Sequence, residues 1–265
     1  MTYQYLLLTR ENGLAILTLN RPDKRNAMNG AMIQELDQVL QTLANDKTVK
    51  VLLIKGSGEH FCAGADISWM KTVGTLSKEE NQRDAEALAD LLFHLYEFPK
   101  PTIVMAHGTV LGGGLGILSV CDIALAADTC TFGFPEVKIG IAPSTISPYV
   151  IAAIGARAAH YYFLTGIRFG AEEALRIGLV HQVADQQALY QTGHALAQTL
   201  LQNAPEALCA VKQLIHRVAN EKISPELGHY TAEHLAALRT SSEAQEGLAA
   251  FLEKRAPQWI EGSST

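Results

Sequence analysis

This chain of 265 residues predicts an α/β fold, on three observations. Short apolar strands alternate with apolar residues at helical spacing, two glycine-bearing turns each follow such a strand, and the alternation gives way to helical periods alone near residue 196. We therefore expect a core over residues 1–195 and a helical region over residues 196–265, within the length that one large domain or a domain with an appendage occupies.

The chain opens as a hairpin. Tyr5-Leu6-Leu7-Leu8-Thr9 and Leu14-Ala15-Ile16-Leu17-Thr18-Leu19 flank Glu11-Asn12-Gly13, where Asn-Gly supplies the positive φ that a tight turn requires. Met32, Leu36, Val39, Leu40 and Leu43 then follow a helical period, and Val51-Leu52-Leu53-Ile54 reads as a short buried strand ended by Gly56-Ser57-Gly58. A second helix is expected over residues 78–98, stopped by Pro99 and Pro101, with Thr102-Ile103-Val104-Met105-Ala106 as the strand after it. The glycine cluster at residues 108–116 opens another short helix, and Ile123-Ala124-Leu125-Ala126 is the next strand. Beyond residue 196, Leu196, Leu200, Leu201, Leu208, Val211, Leu214 and Ile215 recur at helical spacing, a pattern that continues to Phe251 and Leu252. No repeat is obvious and no long linker intervenes, so the two parts should pack together.

Residues 101–121 contain no Asp, Glu, Lys or Arg and are about as long as a membrane span of ~20 residues. His107 and five glycines lie inside them, however, and no second span with flanking basic residues exists. Close backbone approach in a buried turn explains the glycines better. Hydrophobic residues make up 48% of the chain and charged residues 18%, below the roughly 25% usual in globular proteins, which excludes a disordered polyampholyte and points to surface facing other subunits. A net charge of −6 disfavours a nucleic-acid backbone as partner. Cys62, Cys121, Cys130 and Cys209 show no C-x-x-C pairing, so neither a disulfide framework nor a metal site is expected. The N-terminus has no basic segment before its apolar run, which ends at Arg10-Glu11, and the expected compartment is the cytoplasm.

The chemistry is expected at the two turns, Phe61-Cys62-Ala63-Gly64-Ala65-Asp66-Ile67 and Leu111-Gly112-Gly113-Gly114-Leu115-Gly116. Small residues leave backbone N–H groups accessible, and a helix N-terminus adds unsatisfied donors and a positive dipole end, so two facing turns of this kind can hold a developing negative oxygen. On spacing alone they are equally tight turns. Ile117 stands where G-x-G-x-x-G needs its third glycine, and no G-x-S-x-G, P-loop or H-E-x-x-H sequence occurs. Glu136 stands out among the acids. Its setting, Phe132-Gly133-Phe134-Pro135-Glu136-Val137, is apolar, which raises a carboxyl pKa towards that of a useful general acid or base, although a Glu after a Pro is by itself an ordinary loop residue.

Five segments in order carry a resemblance: Leu19-Asn20-Arg21-Pro22 with Asn26-Ala27; the turn at residues 61–67; residues 108–114 with Cys121-Asp122-Ile123; residues 132–143; and Leu164-Thr165-Gly166 with Glu173-Ala174 and Gly178-Leu179-Val180. On these the chain is identified as a member of the crotonase (enoyl-CoA hydratase/isomerase) superfamily. Residues 143–150 and the C-terminal Glu246-Gly247-Leu248 with residues 251–255 resemble bacterial methylglutaconyl-CoA hydratases of leucine breakdown and the related isohexenylglutaconyl-CoA hydratases. The resemblance implies a crotonase-type spiral of ββα units with a helical C-terminal region that trimerises, giving a homo-oligomer, trimer or hexamer. It also implies an acyl-CoA thioester substrate whose carbonyl lies between the N–H groups of Ala65 and Gly113, with coenzyme A entering as part of the substrate and no further cofactor or metal. Lys24 and Arg25 are similar to the basic contact to the nucleotide, Ala63, Ala65, Asp66 and Ile67 match the stretch along adenine and pantetheine, and Ala27 is a further expected contact to the CoA substrate.

The resemblance has one departure. Enoyl-CoA hydratases carry two glutamates that hold the attacking water, and here Gly116 stands at the first position while Glu136 keeps the second. Loss of one water-positioning carboxylate is worth roughly 10²–10⁴ in rate if nothing replaces it. A single glutamate there is also the arrangement of Δ3,Δ2-enoyl-CoA isomerases. The expectation is a lyase hydrating a branched or carboxylated enoyl-CoA of the 3-methylglutaconyl-CoA kind, with an isomerase as the alternative and a non-catalytic acyl-CoA binding protein as the remote one. Gly116→Glu is expected to raise crotonyl-CoA hydration if the glycine leaves the space for it. Some relatives bind RNA through a lysine-rich first helix, but Glu35, Asp37 and Asp46 stand against Lys47 here, so no nucleic-acid partner is expected. The width of the pocket turns on residues 68–88 and 144–150.

Overall fold

The computed structural model describes residues 3–260. At its start β1 (Leu6–Glu11) pairs antiparallel with β2 (Leu14–Leu19), and the turn between them holds Asn12 at φ 45° and Gly13 at φ 85°. Two consecutive positive φ values match the right-handed twist of a hairpin. The Asn29 side chain accepts a hydrogen bond from the Met32 N–H and so caps α1 (Gly30–Asn45), which buries the apolar face that its spacing predicts. β3 (Val51–Gly56) then lies parallel to β2.

From β3 onward the chain coils, and each coil contributes to two sheets. β3 leads through Cys62 to α2 (Ile67–Val73) and α3 (Lys78–Tyr96). β4 (Thr102–Ala106) leads to β5 (Thr109–Leu111) and α4 (Gly113–Val120). β6 (Ile123–Ala127) leads to β7 (Thr131–Gly133), a 3-10 turn at Pro135–Ile139, and α5 (Ser147–Thr165), which bends at Gly155. In the larger sheet β3, β4 and β6 are parallel neighbours, while in the smaller one Cys62 bridges Val110 of β5 and β5 pairs with β7, also in parallel. The path repeats although the sequence does not, because each coil fills the same strand and turn positions with different residues. β8 (Arg168–Gly170) closes the small sheet against β7; after α6 (Ala171–Arg176), β9 (Gln182–Ala184) completes the large sheet in the order β1-β2-β3-β4-β6-β9.

The uncharged stretch at residues 101–121 is therefore β4, β5 and α4, and no helix among the described residues is long and apolar enough to cross a membrane. α7 (Leu189–Leu201) runs across residues 195 and 196 and packs on β3, β4 and β6. α8 (Pro205–Val218), α9 (Pro225–Arg239) and α10 (Ser242–Glu253) make the C-terminal region helical, as the sequence predicts. One buried cation ties it to the sheet. Lys212 Nζ on α8 lies 2.9 Å from Asp122 Oδ2, which also accepts from the Thr102 N–H at 2.7 Å and the Thr102 hydroxyl at 2.8 Å.

Candidate active site

Cys62, β5 and β7 are parallel neighbours, so the segments that leave them emerge at one edge of the small sheet. Those segments carry Ala65, Gly113 and Glu136, one from each of three successive coils. The Leu111 N–H donates to the Cys62 carbonyl at 3.0 Å and the Gly112 N–H to the Gly133 carbonyl at 3.3 Å, which stitches the three segments together.

Ala65 is held by its neighbours. The Met28 N–H donates to the Gly64 carbonyl and the Asp66 N–H to the Met28 carbonyl, both at 2.8 Å, and in extended backbone this turns the Ala65 N–H to the opposite side. Gly113 is the first residue of α4, where an N–H has no partner within the helix. Among the described residues neither the Ala65 N–H nor the Gly113 N–H donates a hydrogen bond, and both residues line one cavity of about 470 Å³.

Glu136 lines the same cavity. Gly112 favours glycine through its φ of 47°, and it lies so close to the carboxylate that a β-carbon there would sit 3.0 Å from Glu136 Oε1. Oε2 is buried without a hydrogen-bond partner among the described residues, and burial pushes the carboxyl pKa up, as its apolar setting predicts. Two unpaired N–H donors beside a carboxylate of raised pKa can stabilise a developing oxyanion and move a proton in the same enclosed space. Cys62, buried under the first turn, has its thiol pushed up to about 12 by burial and is no nucleophile at neutral pH.

The remaining expected positions divide. Ala63, Ala65, Ile67 and Gly113 line the cavity. Lys24 and Arg25 are exposed outside it, and the Arg25 carbonyl accepts from the Ala63 N–H at 3.0 Å, which sets the basic pair next to the cavity wall. The Ala27 carbonyl accepts from Arg21 Nη1 at 2.9 Å, and Arg21 pairs with Asp66 at 2.7 Å. Asp66 also caps α2 by accepting from the Ser68 and Trp69 N–H groups, so its carboxylate serves the turn that presents Ala65.

Gly116 corrects one expectation. It is buried, and a β-carbon on it would lie 2.6 Å from Ile146 Cγ2 and 3.3 Å from Leu92 Cδ1, so the glycine leaves no space for a carboxylate. Ile146 fills that position and lines the cavity with its apolar side chain. The sequence names the two segments that set the pocket but not the residues in them. α2 contributes Trp69, Met70 and Val73, and α3 contributes Asn81, Asp84, Ala85 and Leu88. The spacing of these four at i, i+3, i+4 and i+7 is one helix face, and it is the signal by which they could have been found. Burial pushes the Asp84 pKa up. The described residues contain no group of three or more His, Cys, Asp or Glu able to hold a metal ion.

The profile of the enoyl-CoA hydratase/isomerase family matches residues 9–262. A putative enoyl-CoA hydratase of Thermus thermophilus is 34% identical over 251 residues, 93% of this chain and 97% of that protein. The hydroxycinnamoyl-CoA hydratase-lyase of Pseudomonas fluorescens is 37% identical over 207 residues, 76% of this chain and 74% of that protein. Among solved structures, an enoyl-CoA hydratase from Shewanella pealeana superposes with a TM-score of 0.94 at 41% identity, over 97% of this chain and 96% of that one.

Proposed function

The chain belongs to the enoyl-CoA hydratase/isomerase family, whose members act on acyl-CoA thioesters, and from that premise we propose that it adds water reversibly to a branched α,β-unsaturated acyl-CoA. The observation that carries this is the pair of unpaired N–H groups, Ala65 and Gly113, beside Glu136 in one cavity. The thioester oxygen accepts from both donors. As water attacks C3, Glu136 takes its proton while charge moves onto the thioester oxygen, and the two N–H groups stabilise the enolate. The protonated Glu136 then delivers that proton to C2, so the sum is one water added. Ser144 and Thr145 line the cavity and carry the hydroxyls that would help hold the water. Coenzyme A enters with the substrate, against Ala63, Ile67 and the basic Lys24 and Arg25, and the scheme uses no other cofactor. Whether the acyl chain also bears a distal carboxylate, as in 3-methylglutaconyl-CoA, turns on the far wall of the cavity.

The Ile146 side chain against Gly116 favours a second reading. With no carboxylate at position 116, Glu136 is also suited to take a proton from C2 of a 3-enoyl-CoA and return it at C4 through the same enolate. Turnover on 3-methylcrotonyl-CoA, crotonyl-CoA and a 3-enoyl-CoA side by side separates the two. A hydratase hydrates the branched substrate in preference to crotonyl-CoA, and an isomerase consumes only the 3-enoyl thioester. In either case Glu136→Gln should lower kcat by roughly 10²–10⁴ while thioester affinity stays within a few-fold. Undiminished turnover would remove Glu136 from the mechanism.

A further inference from the structure

We propose that Asp84, with Asn81, makes the α3 wall of the acyl cavity select for branched acyl chains that end in a hydrogen-bond donor such as a hydroxyl, and against chains that end in a carboxylate. This rests on the reading of the cavity as an acyl-CoA site and names the substrate class within it. Asn81, Asp84, Ala85 and Leu88 present one face of α3 to the cavity. Leu92, one turn further on, touches the space over Gly116. Asp84 is eight residues back, about 12 Å along the helix axis at ~1.5 Å per residue, and so stands away from the Gly116 end of the cavity.

The polar groups on that face are acceptors. Asn81 Nδ2 donates to the carbonyls of Leu76 at 3.1 Å and Ser77 at 3.0 Å, which leaves its Oδ1 as the available group. The Asp84 carboxylate makes no hydrogen bond or ion pair among the described residues, and no Lys, Arg or His lines the cavity. Val73, Ala85 and Leu88 line the same cavity with apolar side chains, and burial pushes the Asp84 pKa up. A ligand donor would complete both acceptors, whereas a ligand carboxylate would meet a like charge with no cation to offset it.

Matched thioesters test this. 5-Hydroxy-3-methylpentanoyl-CoA and 3-methylglutaryl-CoA differ only at the fifth carbon, carry no double bond to react, and can be titrated calorimetrically into the full chain. The hydroxylated thioester should bind at least about tenfold more tightly than the carboxylated one, the order of effect of a like charge at partly buried distance. Asp84→Asn should bring the two affinities to within about threefold of each other, and Asp84→Glu, which keeps the charge, should preserve the preference. Equal affinities in the unmodified protein, or a ratio that Asp84→Asn leaves unchanged, would overturn the proposal. The unsaturated pair, 5-hydroxy-3-methylpent-2-enoyl-CoA and 3-methylglutaconyl-CoA, is then assayed for hydration. Discrimination in binding without turnover of either leaves the selectivity standing and removes the hydratase reading. Turnover that prefers the carboxylate does the reverse, and failure of both saturated thioesters to bind overturns both.

Discussion

Ile146 decides what a substitution at residue 116 can achieve. A β-carbon on Gly116 would already overlap Ile146 Cγ2 at 2.6 Å, and a glutamate carries its Cγ, Cδ and two carboxylate oxygens into the same space. Gly116→Glu alone should therefore cost about 1–3 kcal/mol of stability, as overpacking does, and leave crotonyl-CoA hydration no higher than before. Adding Ile146→Ala makes the room, and the double variant should hydrate crotonyl-CoA at least about tenfold faster than the unmodified protein if a paired carboxylate is what that substrate lacks. Glu136 lends itself to a titration. Burial raises its folded pKa above the ordinary glutamate value of 4.5, so between those two values the folded state holds the proton more firmly than the unfolded state does, and stability falls as pH rises through the window. Gln carries no such charge. Melting temperatures of Glu136→Gln should exceed those of the unmodified protein at pH 7–8, with the difference shrinking as pH falls towards 4.5; a constant difference would mean that burial of the charge is not its cause. The two turns and Glu136 stood out in the sequence because turn chemistry and an acid among apolar residues are local features, while the roles of the Ala65 and Gly113 N–H groups came from the family resemblance. Ile146 was not, since what it does depends on Gly116, a neighbour that only the coiled path brings near, and Asp84 was legible only as one position of a helix face.

At the scale of elements, α8 is fastened through Lys212. Its side chain is 7% exposed and its ammonium meets an Asp122 carboxylate already occupied by the Thr102 N–H and hydroxyl, so α8 and the start of β4 share one anchor. Lys212→Met keeps the length of the side chain and removes the charge, leaving Asp122 unpaired at a site 26% exposed. The loss should be about 2 kcal/mol, below the ~3–5 typical of a fully buried pair because water still reaches the carboxylate, and should lower the melting temperature by about 4–8 °C. An unchanged melting temperature would show that α8 is held by its apolar contacts alone. The motif Cys121-Asp122-Ile123 thus has a structural reason of its own. Strand β4 was legible to the residue, because prolines bound a β-branched run on its N-terminal side and glycines follow it. β5, β7 and β8 were not, since three residues are too few for any alternation to register. Nor was α5, whose helical run is interrupted by Gly155 at φ 73°.

For the whole molecule, the C-terminal helices raise the question of what covers them. α9 buries none of its residues, and on α10 Leu248, Phe251 and Leu252, spaced to share one face, are 56%, 81% and 78% exposed. Val211 and Ile215 on α8, one turn apart, are 49% and 56% exposed. Grouped apolar exposure of this kind, in a chain with 18% charged residues, fits contacts between copies of the chain, and closed symmetry would give the trimer or hexamer that the sequence resemblance implies. Phe251→Asp with Leu252→Asp tests it without unfolding the helix. α10 is held to its own chain elsewhere, by buried Ala250 and by Glu243, whose carboxylate accepts from the Glu206 and Ala207 N–H groups of α8, both at 2.9 Å. Helical content by circular dichroism should therefore be retained. Sedimentation at micromolar concentration should show a trimer or hexamer for the unmodified protein and a smaller species for the variant, because burying two carboxylates at an apolar interface without partners costs several kcal/mol. A monomer before any substitution would mean that these helices face water, and an assembly unchanged by the two aspartates would place the contact on another surface.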